Sequence, residues 1–237
     1  MTRTPELEPP DDLPWPKAAS SGPSAHVSAA IHKQCTRGLE PCRGPSAGHR
    51  LALSLGVSFA VLGVLLILTH GATRHTETFH AALIGAAGWG IVQAGVLWFG
   101  FAKPPGRRLS PVARVAVALV LPLMFVGYIL FAAPEWVPFA EFLSAPRLAR
   151  TASCSIVGLL ASAAASGGVL LLWRGTDPLT PGLSGALAGL VGGIGGGVAI
   201  GAACPTQEGW HSGIAHGLVV VAFVAFGWVV GRRLLSP

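Results

Sequence analysis

Cys154 and Cys204 are the residues of this chain whose type and spacing point most directly to chemistry. Cys154 opens one long apolar run, and Cys204 closes the next one just before Pro205. Consecutive apolar segments joined by a short turn normally pack side by side. The two thiols are then at matching depth, close enough for a disulfide or a shared soft metal ion. Spacing alone leaves three readings open: a structural disulfide, a redox- or metal-sensing pair, and two unpaired thiols. Imidazole would complete a soft-metal site, and five of the eight histidines fall toward the same face: His70, His75, His80, His211 and His216. The candidate accessory ligands are His211 and His216. Five residues apart on an α-helix is about 140° around the axis, so at most one of them faces the cysteines. Solvated or interfacial histidines are the competing reading.

Other chemistry is absent or weak. His32, Cys35 and Cys42 form an H-x2-C-x6-C array without the close ligand spacing of a small zinc domain. A Gly-rich phosphate loop, a Ser/His/Asp arrangement and an HExxH helix are all missing. With no paired carboxylates at one depth, an enzyme is not expected.

The elements that must position these residues are membrane spans. The chain of 237 residues is 51% hydrophobic and only 11% charged, with 32 glycines and a mean hydropathy of +0.61. A soluble domain carries about 25% charged residues. Runs of about 20 apolar residues can cross a bilayer, and six are expected: Leu51 to Thr69, Phe79 to Ala102, Val112 to Ala133, Ala152 to Trp173, Leu179 to Ala203 and Gly213 to Gly231. The first run begins after a long polar segment, so insertion by the spans themselves is expected rather than by a cleavable leader.

Orientation follows from the sixteen Lys and Arg residues. Thirteen fall on one side of this layout, from Arg3 and Lys17 to Arg232 and Arg233, whereas only Arg74, Arg147 and Arg150 fall on the other. The bias places the populated side, and both termini, in the cytoplasm. It also explains a net charge of +6 without nucleic acid as a partner. The expected fold is an all-α membrane protein, a six-helix transmembrane bundle spanning residues 51–237. Residues 1–50 are expected to form a disordered, Pro-rich cytoplasmic tail able to order on a partner, with an uninvolved extension the competing reading for Met1 to Ala30.

Gly185, Gly189, Gly193, Gly197 and Gly201 recur every four residues in the fifth span. They make a smooth ridge for close helix packing, with the small-residue stretch Ala161 to Gly168 as the expected partner. Only Arg114 is ionised within a span, at an end, and Gln93 is the most polar buried candidate. Coupled transporters usually need ionisable groups at mid-depth, which counts against a small-molecule channel or transporter. A purely structural membrane subunit is the other alternative.

The stretch Arg150 to Pro237 resembles the NrsF family of bacterial membrane proteins, negative regulators of an extracytoplasmic-function sigma factor. The resemblance is carried by Cys154, Trp173-Arg174-Gly175, TPGLSGALAGLVGG from Thr180, Cys204-Pro205 and Gly231-Arg232-Arg233-Leu234-Leu235. Before the first span, Leu39, Pro41, Arg43, Pro45 and Arg50 resemble the family's short cytoplasmic segment. Ala203 and the His216-Gly217 pair depart from the pattern of many relatives. The resemblance implies a membrane anti-sigma factor of the bacterial inner membrane, acting in a stress response. The tail residues Arg37, Leu39, Glu40, Pro41, Arg43 and Arg50 would contact the sigma factor, and Cys154 and Cys204 would receive an envelope, redox or metal signal. No firm cofactor is implied beyond zinc or another soft metal at that pair.

Overall fold

The computed structural model describes residues 25–38, 45–68, 76–103, 107–133, 135–177, 179–206 and 208–235. It divides into two units, 1–44 and 45–237. The described part of the first is a single helix, α1 (Ala25–Gly38). This differs from a tail without regular structure. Ala25, Ala29, Ala30, Lys33 and Gln34 are strong helix formers, and their summed propensity favours a helix. Leu39, Glu40, Pro41, Cys42 and Arg43 lie outside the described residues, as do His70, Arg74 and His75.

The second unit runs α2 (Ala47–Leu68), α3 (Thr76–Leu97), α4 (Pro111–Ala132), α5 (Phe139–Phe142), α6 (Ala145–Leu172), α7 (Pro181–Ala203), α8 (Gly209–Ser212) and α9 (Leu218–Leu234). A π-helical turn at Trp98–Ala102 extends α3, and another at Gly213–Gly217 joins α8 to α9 without a break. Among the described residues there is no β-strand, only an isolated bridge between Glu135 and Glu208. Six helices are long and apolar enough to cross a membrane, in the order expected. Proline and caps set their starts. Pro111 and Pro181 open α4 and α7, where a missing N–H costs nothing, and the Ser110 hydroxyl accepts the Ala113 N–H at 3.2 Å. After α6, Gly175 takes φ +67°, a left-handed geometry that suits glycine, and donates its N–H to the Leu234 carbonyl at 3.2 Å.

The helix α7 is the hub. In its most apolar window 83% of residues are buried, against 11% for α2, so it is surrounded by protein while α2 turns mostly outward. Glycine makes this possible, with one correction to the sequence reading: the ridge packs on α9, not on α6. A Cβ on Gly185 would stand 2.6 Å from the Gly231 Cα, and one on Gly189 would stand 3.2 Å from the Gly227 Cα. The small residues of α6 meet a second row instead, Ser166 against Gly192 and Ser162 against Gly196. A third face sets Gly195 against Ser58 of α2 and near the buried Gln93 of α3. Around this hub Leu187, Leu190, Val191 and Ile194 are fully buried, together with Phe101 and Phe125.

Consecutive spans alternate in direction, so α4 and α7 start at the same end. The Trp173 indole N–H at the end of α6 donates to Ser54 near the start of α2 at 3.0 Å, and Arg114 at the start of α4 reaches Ser184 at the start of α7 at 3.1 Å. That end of the bundle also carries Arg50, Lys103, Arg232 and Arg233. The cysteines lie at the other.

Candidate functional site

Cys154 sits well inside α6, because the helix begins at Ala145 and is longer than the apolar run alone. Cys204 caps the end of α7, one residue past Ala203 and just before Pro205, and its N–H still donates to the Ile200 carbonyl at 2.8 Å. His211 belongs to α8, the first turn of the last span. The three side chains meet. The sulfurs lie 3.6 Å apart with no disulfide between them, and Cys204 Sγ is 3.2 Å from His211 Nε2. All three ligand atoms fall within 4.8 Å of one another. Cys204 and His211 are buried, and Cys154 is half-buried.

The tautomer of His211 follows from its other nitrogen. Thr151 donates its hydroxyl proton to the Arg147 carbonyl at 2.9 Å, so the same oxygen, 3.0 Å from His211 Nδ1, is left as an acceptor. Nδ1 therefore carries the hydrogen, and the Nε2 lone pair points at Cys204. A hydrogen-bonded Nδ1 behind a ligating Nε2 is the usual outer support of a metal-bound histidine. The spacing also fits. Two sulfurs bound tetrahedrally to one zinc stand about 3.8 Å apart, and sulfur and imidazole nitrogen about 3.6 Å. The separations of 3.6 and 3.2 Å need shifts of only a few tenths of an ångström, and the third, from Cys154 to His211, lies within 4.8 Å. Burial pushes the Cys204 thiol up to about 12, against the opposing effect of a Thr206 backbone hydrogen bond. Without a metal it is therefore protonated at neutral pH and a slow nucleophile.

His216 lies beside this group. Its ring meets that of His211 edge to face, with centroids 5.3 Å apart. On an α-helix the two would diverge, but the π turn at Gly213–Gly217 adds a residue to the turn and swings His216 back toward His211. It is not among the three clustered ligands. Over the same end, Arg147 ties α5 to the last span, with Nη2 2.6 Å from Glu141 and Nη1 2.5 Å from Glu208. Trp136 and Trp210 pack edge to face beside it, with centroids 5.6 Å apart.

The opposite end holds a cluster that the sequence reading did not assemble. Arg114 Nη1 donates to Asp177 Oδ2 at 3.2 Å, to Thr180 at 2.7 Å and to Ser184 at 3.1 Å. The Ser184 hydroxyl also donates to Asp177. Burial alone would raise the Asp177 pKa, but the hydrogen bonds from Ser184, Thr180 and Leu179 outweigh it and hold the carboxyl below its usual range. The available hint was Arg114 itself, a cation inside an apolar span that needs a partner.

Of the remaining expected site residues, Arg50 lies over the Trp173 ring with its guanidinium carbon 5.8 Å from the centroid. Arg37 falls in the last turn of α1. His80 falls in α3. No curated protein and no solved structure matches the chain. One family does match, described as NrsF, negative regulator of sigma F, over residues 36–236. That range holds the six long apolar helices, the cysteine pair and the ion-pair cluster. By a match over most of its length, this chain belongs to the NrsF family.

Proposed function

We propose that this protein is a membrane-embedded anti-sigma factor. It holds a sigma factor at the cytoplasmic (inner) membrane and releases it when the Cys154, Cys204 and His211 group changes its metal-bound or covalent state. The carrying observation is that those three residues come from three different spans, α6, α7 and the last, and converge to ligand distance. A soft metal ion taken up there, or a disulfide formed between the sulfurs, ties α6 to α7 at one point. Because α7 packs along α9 on bare glycine, a small restraint can select between two packings and move the far ends of the helices as rigid bodies. The far end of α6 and the start of α7 are the segment that Arg114 grips through Asp177.

The sigma factor would be held by residues 31–50. Arg37, Leu39, Glu40, Pro41, Arg43 and Arg50 supply charged and apolar contacts there. An isolated helix as short as α1 is marginal in water, which suits a segment that is completed by its partner. The excess of Lys and Arg at the tail end of the bundle supports a cytoplasmic location for both termini.

Sigma-dependent reporter transcription tests the sensing step in cells carrying Cys154→Ser, Cys204→Ser or both. We expect each single variant to abolish induction by cadmium or zinc salts as fully as the double variant, since a shared ligand set fails when either partner is lost. Single variants that still respond like the unmodified protein would refute the sensing role.

The support of His211 gives a second expectation. Thr151→Val removes the acceptor behind Nδ1 while keeping the side-chain shape. Zinc affinity of the purified protein, measured by competition with a chromophoric chelator, should fall by about tenfold or more. Unchanged affinity would mean that the Thr151 contact does not support a metal-bound His211.

A further inference from the structure

A cleft of about 330 Å³ opens between the first turns of α4 and α7, and the sensing reading makes no use of it. Its polar floor holds Arg108, Arg114, Asp177 and Thr180. Among the described residues the charges there do not balance: two guanidinium groups share one carboxylate. Asp177 is already committed. Its Oδ2 accepts from Arg114, Thr180 and Ser184, and its Oδ1 accepts the Leu179 and Thr180 N–H groups, each at 3.1 Å. Arg108 Nη1 is 4.0 Å from Asp177, too far for a hydrogen bond, while its Nε donates to the Lys103 carbonyl at 2.8 Å. The Arg108 side chain is only 8% exposed, so an excess cation is held in a partly desolvated place. Burial lowers its pKa, attraction to Asp177 opposes that, and repulsion from Arg114 adds to it. A second anion in the cleft would reverse that penalty.

The cleft has an apolar rim. Leu179 is 78% exposed at its edge, and Val112, beside the lining residue Pro111, is 79% exposed. Both stand at the start of helices long and apolar enough to span a membrane, at the level where headgroups meet acyl chains. The N-termini of α4 and α7 add their positive dipole ends to the same space.

We propose that this cleft binds the phosphate of a singly charged acidic phospholipid, with Arg108 contacting the phosphate and Leu179 and Val112 flanking the acyl chains. One negative charge cancels the one excess positive charge of the floor. Basic pockets between spanning helices commonly take anionic headgroups. The site lies at the loop ends that the ion-pair cluster organises, so lipid occupancy and the packing of α4 on α7 are linked. The inference rests on membrane insertion of the six helices and not on the sigma-factor reading.

The full-length protein in neutral detergent decides it, with thermal unfolding followed while phosphatidylglycerol, phosphatidylcholine or inorganic phosphate is added. Phosphatidylglycerol should raise the midpoint saturably, and the other two should not. Arg108→Gln should weaken the apparent affinity for phosphatidylglycerol about fivefold, whereas Arg108→Lys and Arg107→Gln, the latter an exposed neighbour outside the cleft, should stay close to the unmodified protein. Equal shifts with phosphatidylcholine, or an unchanged response in Arg108→Gln, would overturn the proposal. Inorganic phosphate reproducing the full shift would overturn the lipid as ligand. If Arg108→Gln yields no folded protein, Leu179→Gln on the exposed rim takes its place, with reduced affinity expected and unchanged affinity fatal to the idea.

Discussion

A single methyl group at Gly189 is expected to prevent α7 from reaching its packing distance on α9, and Gly189→Ala should leave little folded protein in the membrane. The added Cβ would fall on the Phe223 carbonyl, 2.8 Å from its carbon, and 3.2 Å from the Gly227 Cα. Both neighbours are backbone, which cannot rotate away as a side chain can. The contact is reciprocal, since a Cβ on Gly227 would stand 2.9 Å from the Gly189 Cα. The two helices would have to separate, losing close contacts along the glycine ridge in a place where lipid supplies no hydrophobic force to hold them together. Overpacking of this kind costs about 1–3 kcal/mol even in soluble cores that can relax. Gly201→Ala, in the same helix, is the control. Its Cβ would meet only His216 Nδ1, at 3.8 Å, so the usual advantage of alanine over glycine in a helix, up to about 1 kcal/mol, should leave stability equal or slightly raised. Yield and thermal midpoint of the two purified variants make the comparison. Similar behaviour of the two would mean that the ridge is not a packing surface.

The contrast between these glycines also marks what could be read from the sequence. A glycine every four residues announces a close contact, but a ridge does not say which neighbour fills it. Gly227 and Gly231, themselves four apart in the last span, were the clue to α9. The six spans were legible because hydropathy over some twenty residues is a long-range average that local detail cannot disturb. Their ends were less so. The polar first turns of α6, with Arg147 and Arg150, hide its true start from a hydropathy reading, and Cys154 therefore lies deeper in its helix than expected. That Cys154 and Cys204 would stand together followed from connectivity alone. His211 was already a candidate from the sequence, which allowed only one of the two histidines to face the cysteines, but the placing of the His216 ring against it depends on a π turn that a period of 3.6 residues cannot anticipate. The ion-pair cluster was invisible for a different reason, since its members are brought together by packing across 63 and 70 residues of chain.

That cluster carries the other large expected effect. Asp177→Ala should lower stability by about 3 kcal/mol or more, because among the described residues it removes the only carboxylate in the cleft between two guanidinium groups whose side chains are 7% and 8% exposed. The cost is not chiefly the lost attraction. Arg114 and Arg108 would remain as like charges with largely buried side chains, and Thr180 and Ser184 would lose their acceptor. Arg114→Ala alone should cost less, since Asp177 keeps its hydrogen bonds from Ser184, Thr180 and Leu179. If the pair acts as a unit, the double variant should be less destabilised than the sum of the single variants by about 1–3 kcal/mol. Additivity within about 0.5 kcal/mol would show that the two residues do not depend on each other. The pH dependence has a definite sign. A carboxyl held below its usual value contributes stability that is complete above 3.8 and is lost as pH falls below it. Acid unfolding of the unmodified protein should therefore be steeper below that point than that of Asp177→Asn, which keeps the shape of the side chain and gives up the titration. Because Gly175 and Asp177 donate their N–H groups to the Leu234 and Leu235 carbonyls at 3.2 and 3.3 Å, loosening the cluster also frees the end of α9. In cells the same substitution should then alter basal sigma-dependent transcription even with Cys154, Cys204 and His211 intact, which separates the transmission of the signal from its reception.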